Sequence, residues 1–171
     1  MTATDRAKRV KLLVMDIDGT LTDGAMYYTR DGEYMKRFST RDGMGLTLMA
    51  KAGYQLAIIT SENSEIAAQR AKKLKIEHVI LGSRDKTTSL TELASKLALP
   101  LDSIAYIGDD VNDGPVMKIC GLSGCPSDAV EAIKSVSHWQ SQFPGGNGAV
   151  REFAEFILMS NDQPITLQEN W

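Results

Sequence analysis

Short apolar runs alternate with amphipathic stretches along this chain. The runs fall at 10–15, 55–59, 78–81, 104–107 and 122–124, and their cores carry no polar alternation. Such runs read as strands covered on both faces, as in a parallel sheet. The spacing of apolar residues predicts helices near 43–52, 64–74, 86–97, 113–119 and 129–134, and a last one over 148–158. Strands alternating with helices form βαβ units, so the expected class is α/β with an open, doubly wound parallel sheet. One segment departs from the alternation. Met26-Tyr27-Tyr28 and the stretch from Glu33 to Phe38 flank Thr29-Arg30-Asp31-Gly32. Asp-Gly between two runs with aromatic residues predicts a β-hairpin, projecting just after the first strand. No insertion is large enough for a separate cap domain.

Length and charge narrow the picture further. With 171 residues, one domain spanning the chain is expected, with a core over about 10–158 and a polar tail over 159–171. The net charge of −3 gives no nucleic-acid footprint, which needs clustered Lys and Arg on a basic domain. The cluster Arg6, Lys8, Arg9 and Lys11 is expected to be a solvated terminus. No segment approaches the ~20 apolar residues of a membrane span. Thr2, Asp5 and Arg6 interrupt any apolar signal core, so a cytoplasmic protein is expected. Cys120 and Cys125 lack the spacing and the nearby His of a zinc site and are read as buried small hydrophobes. Ile165, Leu167 and Trp171 give the tail an apolar side with which to dock.

Ligands of an open parallel sheet bind beyond the carboxyl ends of its strands. The residues after each expected strand are therefore informative. After the first run stand Asp16 and Asp18, within Asp16-Ile17-Asp18-Gly19-Thr20. After the second come Thr60, Ser61, Glu62 and Asn63, and after the third Gly82, with Lys86 opening the next helix. After the fourth come Gly108-Asp109-Asp110-Val111-Asn112-Asp113. Taken singly, each is ordinary: an acidic turn, a helix-capping Thr60, a solvated Lys86, capping and surface acids. Together they bring carboxylates, a hydroxyl and a lysine to one edge.

That combination suits phosphoryl chemistry. Asp16, Asp18 and Asp109 would repel one another without a cation, and hard oxygen donors suit Mg²⁺. Lys86, the Thr60 hydroxyl and backbone N–H groups would offset the charge of a phosphate. Asp16 would attack phosphorus and form an aspartyl-phosphate. Asp18 would protonate the leaving alkoxide and then activate water.

In order, these segments resemble the four motifs of the haloacid dehalogenase (HAD) superfamily of phosphatases, which implies a Rossmann-like, HAD-like fold. The resemblance implies Asp16 as nucleophile and Asp18 as general acid/base. Asp16, the Asp18 backbone carbonyl and Asp109 would ligate Mg²⁺. Thr60 and Lys86 would hold the phosphoryl group, with Asp110 and Asp113 in support. Thr22-Asp23-Gly24, the hairpin, Arg41-Asp42-Gly43, Ile76-Glu77-His78 and the segment Gly145 to Glu152 are similar to a capless branch. It contains the 3-deoxy-manno-octulosonate (KDO) 8-phosphate phosphatases and the nonulosonate (sialic acid or KDN) 9-phosphate phosphatases. This resemblance implies a homotetramer in which hairpins form a barrel-like core and a neighbouring subunit helps close each site.

Substrate choice is expected to rest on fewer residues. Octulosonate enzymes usually carry Gly-Arg after the motif threonine, where this chain has Ser61 and Glu62. An arginine could pair with the sugar-acid carboxylate in a bidentate fork, whereas Glu62 would repel it. Relatives acting on nine-carbon acids resemble this chain in having Glu there and a lysine at Lys73. Arg70 remains available for the carboxylate, and Thr40, Arg41, Asp42 and Gly43 would form part of the sugar pocket. The expectation therefore favours KDN or sialic acid 9-phosphate, with KDO 8-phosphate as the alternative. A second alternative is a non-catalytic oligomerisation domain associated with a cytidylyltransferase, against which the intact Asp16, Asp18, Lys86 and Asp109 speak.

Overall fold

The computed structural model describes residues 1–167. Its strands are β1 (Leu12–Met15), β2 (Tyr27–Thr29), β3 (Gly32–Met35), β4 (Gln55–Ile59), β5 (His78–Ile80), β6 (Ile104–Ile107), β7 (Leu122–Cys125) and β8 (Trp139–Gln140). Its helices are α1 (Ala3–Ala7), α2 (Thr40–Lys51), α3 (Glu65–Lys73), α4 (Lys86–Lys96), α5 (Gly114–Ile119), α6 (Glu131–Lys134) and α7 (Ala149–Ser160). Six strands form one parallel sheet in the order β5-β4-β1-β6-β7-β8. Strand β1 is central and lies between β4 and β6. Chains leaving β1, β4 and β6 therefore emerge side by side.

Alternation along the strands divides the core. Leu13, Met15, Ile58 and Ile107 face one cluster with Leu46 and Met49 of α2 and Phe153 and Ile157 of α7. Leu12, Val14, Ile59 and Tyr106 face the other, with Leu90 of α4, Val116 and Met117 of α5 and Ile133 of α6. Both faces of the sheet are covered, as the unbroken apolar runs require. Cys120 and Cys125 are free and buried, as expected.

Three expectations change in detail. Strand β1 starts two residues later than the apolar run, because the Val10 N–H closes the turn after α1 on the Ala7 carbonyl. Helix α1 was not legible, being one turn long. Its Thr2–Asp5 capping box starts it, and Arg6 is not simply solvated: its Nη1 donates to the Gly121 carbonyl at 2.7 Å. Strand β8 has two residues, too few for a periodic signal, and its Trp139 stacks on Phe156 with ring centroids 5.6 Å apart and packs at a tilt against Phe153.

The predicted hairpin is present as the antiparallel pair β2–β3, and a Thr22–Phe38 bridge closes its base. Met26, Tyr27, Tyr28, Tyr34 and Met35 are all exposed on it. Among the described residues there is no inserted cap domain and no helix long and apolar enough to cross a membrane. Ile165 and Leu167 of the tail pack against the first core cluster, while Trp171 lies outside the described residues.

Asp42 has a structural duty that the sequence did not disclose. Helix α7 begins after Gly148, which has no side chain to cap it. The buried Asp42 carboxylate supplies the cap from α2, accepting from Arg151 N at 2.8 Å and Gly148 N at 3.3 Å. Replacing a capping carboxylate by alanine costs about 1–2 kcal/mol. Asp42→Ala should lower the urea midpoint by a corresponding amount without changing the m-value.

Candidate active site

The loop after β1 is shaped by close backbone approaches. Thr20 and Thr22 N–H groups both donate to the Ile17 carbonyl, which folds the chain back at once. Gly19 sits at φ +85°, and a Cβ there would lie 2.0 Å from Asp109 Oδ2. Only glycine lets the Asp109 carboxylate come so near this loop. From the other side, Gly146 donates its N–H to the Thr20 carbonyl at 2.9 Å. At φ +59°, with Thr22 backbone 2.4 Å from where its Cβ would be, Gly146 also admits no side chain.

Behind this loop lies a buried charge cluster. Lys86 Nζ stands 2.8 Å from Asp16 Oδ1 and 2.6 Å from Asp113 Oδ1. The Tyr106 hydroxyl donates to Asp113 Oδ1 at 2.7 Å, and Asp113 Oδ2 accepts from the N–H groups of Asp109 and Asp110 at 3.0 and 3.3 Å. Asp113 thus has both oxygens filled. It holds Lys86 in place and fastens the turn that carries Asp109. Asp110 is exposed, and its carboxylate accepts only from Val111 N.

Charge is costly here. Burial pushes Asp16 up to about 7; the nearby Asp113 adds to the rise and Lys86 opposes it. Burial, then the charges of Asp16 and Asp113, push Asp109 up to about 8, against a hydrogen bond from Thr20. Burial pulls Lys86 down, yet Asp16 and Asp113 outweigh it and hold it above its ordinary value. Carboxylate oxygens of Asp16, Asp109 and Asp113 lie within 4.8 Å of one another. With Asp113 saturated, Asp16 and Asp109 are the two carboxylates left to receive a cation. A hard, all-oxygen donor set fits Mg²⁺.

Asp18 turns away from that cluster. Its Oδ1 pairs with Lys36 Nζ at 2.5 Å, and Lys36 also pairs with Glu33 Oε1 at 2.7 Å. The Lys36 side chain is fully buried. Burial works against its charge, but hydrogen bonds to Asp18 and Glu33 prevail and raise its pKa. Glu33 also accepts a short hydrogen bond from Ser64 Oγ, the N-cap of α3. Neither Lys36 nor Glu33 was foreseen. The available signal was the basic pair Lys36-Arg37 set between Met35 and Phe38, of which only Lys36 turns inward.

A cleft of about 210 Å³ is lined by Asp16, Asp18, Thr60, Ser61, Glu62, Asp109, Asp110, Val111 and Asn112. The structure thus brings together the expected residues of all four strand ends, with Lys86 directly beneath. Thr60 is buried, and its Oγ1 accepts from Glu62 N, which leaves its hydrogen free to donate. Ser64, not Thr60, caps the following helix. A larger hollow of about 500 Å³ lies at the opposite ends of β4 and β5, but Lys75, Glu77 and His78 there form no acidic cluster.

The expected sugar-pocket residues fare differently. Glu62 stands exposed on the cleft. Asp42 does not reach it, being committed to α7, and Gly43 is buried against the Arg70 guanidinium. Arg70 is not free as expected: Nη2 donates to the Ser39 carbonyl at 3.0 Å and the guanidinium lies over the Phe38 ring. Thr40 and Arg41 are exposed at the start of α2, and Lys73 is exposed in the last turn of α3. None of these six lines the cleft of its own chain.

A model of the haloacid dehalogenase-like hydrolases matches residues 57–153. The chain belongs to this family. It is 37% identical, over 92% of its length, to the 3-deoxy-D-manno-octulosonate 8-phosphate phosphatase of Yersinia pestis, of which the match covers 84%. The enzyme of the same name from Moraxella catarrhalis was crystallised with magnesium, phosphate and KDO. It superposes with a TM-score of 0.91 at 40% identity, over 94% of this chain and 92% of that one. The cobalt-bound Haemophilus influenzae phosphatase gives 0.90 at 33% identity, over 92% of each chain. The fold of this haloacid dehalogenase relative is thus the Rossmann-like sheet of its neighbours.

The raised carboxylates make stability depend on pH and metal. Asp109 and Asp16 bind protons more tightly folded than unfolded, so their contribution falls as pH rises from about 4 towards 8. In chelator, the urea midpoint should drop over that range, and a divalent cation should restore it at pH 8. Asp109→Asn should flatten the pH dependence and weaken the rescue.

Proposed function

We propose that this chain is a Mg²⁺-dependent phosphatase that hydrolyses the terminal phosphomonoester of a 3-deoxy-2-keto sugar acid, with KDO 8-phosphate as its substrate. The observation that carries the reading is the Asp16 carboxylate held on Lys86 beside Asp109, at the head of the central strand and open to the cleft. The eight-carbon substrate displaces the nine-carbon one that Glu62 and Lys73 favoured. Relatives named for the octulosonate reaction match over nine-tenths of the chain. Lys73 does not reach the cleft, so the nine-carbon expectation rests on Glu62 alone.

Asp16, Asp109 and the Asp18 backbone carbonyl would hold the Mg²⁺. When bound, the ion would neutralise the carboxylates and draw charge from the phosphoryl oxygens. Asp16 attacks phosphorus in line, the P–O bond to the sugar breaks, and an aspartyl-phosphate forms. Lys86 favours the ionised form of Asp16 and aims it, and with Thr60 donates to phosphoryl oxygens. Asp18 gives its proton to the departing alkoxide. It then takes one from the water that attacks the acyl phosphate, releasing phosphate and Asp16. The exposed tyrosines and methionines of the hairpin support assembly through that element. A homotetramer would let a neighbouring subunit supply the sugar contacts that Arg70, Asp42 and Gly43 cannot make.

The decisive measurement compares kcat/KM for KDO 8-phosphate and KDN 9-phosphate, with Mg²⁺ and with chelator. The eight-carbon phosphate should be preferred, and chelator should abolish turnover of both. A preference for the nine-carbon phosphate would overturn the substrate assignment. Asp16→Asn should fold normally and lose at least ~10³-fold in kcat.

A further inference from the structure

Asp18 is held by only one of its two oxygens. Oδ1 receives Lys36 at 2.5 Å, whereas Oδ2 is shielded from solvent and has no hydrogen-bond donor. Lys36 itself has no freedom. Its ammonium is enclosed, bonded to Asp18 and to Glu33, and Glu33 is anchored in turn by Ser64 at the start of α3. This chain of contacts joins three separate elements: the loop after β1, the end of the hairpin, and the helix that follows the Thr60 turn. Holding a lysine this way costs it most of its rotamer freedom, so the arrangement requires several partners acting together.

We propose that Lys36 is the positioning residue of the proton-transfer step. It fixes the Asp18 carboxyl in one orientation at the wall of the cleft. The inference rests on the reading of Asp18 as acid and base. Lys36 stays on the carboxyl while it gives its proton and while it takes one back, so the group does not need to swing between the two halves. Glu33 and Ser64 act one step further out, by keeping the ammonium from swinging away.

The test uses Lys36→Met, which keeps the stem and removes the charge, with Lys36→Arg, Glu33→Gln and Asp18→Asn beside it. Each is assayed on KDO 8-phosphate and on p-nitrophenyl phosphate, whose leaving group needs no proton. Loss of a positioned acid and base costs roughly 10²–10⁴-fold. Lys36→Met should therefore lower kcat on the sugar phosphate by about 100-fold, with KM nearly unchanged. On the aryl phosphate it should still release a burst of one p-nitrophenolate per site, followed by slow turnover. Lys36→Arg should restore part of the loss, and Glu33→Gln should show the same pattern more weakly. Equal loss on both substrates with no burst, or no loss at all, would overturn the proposal. If Lys36→Met does not fold, Glu33→Gln decides by the same two substrates. Full activity of Asp18→Asn would instead overturn the acid–base reading beneath it.

Discussion

The ammonium of Lys86 holds Asp16 and Asp113 inside the protein, and the rest of the site is arranged around that contact. Two carboxylates and a lysine taken out of water face a large desolvation cost, which attraction offsets only when the remaining lone pairs are also filled. Asp113 meets that condition with Tyr106 and two backbone N–H groups. Asp16 and Asp109 do not, and their raised proton affinities measure the deficit. A divalent cation and a phosphate together complete what the chain leaves unfinished. The strain in this cluster is thus a preference for particular ligands.

Topology makes the cluster possible. Placing β1 between β4 and β6 sets the loops bearing Asp16, Thr60 and Asp109 next to one another. Lys86 reaches in from α4, which starts after β5, and is fastened by Asp113 at the head of α5. Glycine then removes the last steric barrier between the first and fourth motifs. The small turn at the end of one strand cannot be understood without the turn three motifs away.

What could be read from the sequence follows from this logic. Apolar runs without alternation announced buried strands, and the residues following them announced the groups that gather at the cleft, because the strand ends lie together at one edge of the sheet. Contacts made across the fold were hidden. Asp42 looked like a sugar ligand in Arg41-Asp42-Gly43, but its partners lie more than a hundred positions away on α7. Arg70 looked free because no local pattern reveals a carbonyl on another element. Lys36 had an unremarkable place just past the second hairpin strand, and only burial against Asp18 gives it significance. Helix α1 and strand β8 were too short for any periodicity to register. Glu62 was located correctly on the cleft, yet one exposed carboxylate says less about a sugar than relatives matched along most of the chain.

The brace formed by Gly146 against Thr20 has a consequence for the order of events during synthesis. Asp16 leaves the ribosome well before Gly146. Its loop is not clamped until the segment beyond β8 has followed, and the Asp42 that starts α7 must wait equally long for its partners. Contacts of such long sequence separation form late and slow the search for the native state. The nascent chain therefore carries an acidic, unclamped turn for most of its translation. A product truncated before Gly146 would retain Asp16, Thr60, Lys86 and Asp109 and lack the scaffold that brings them together.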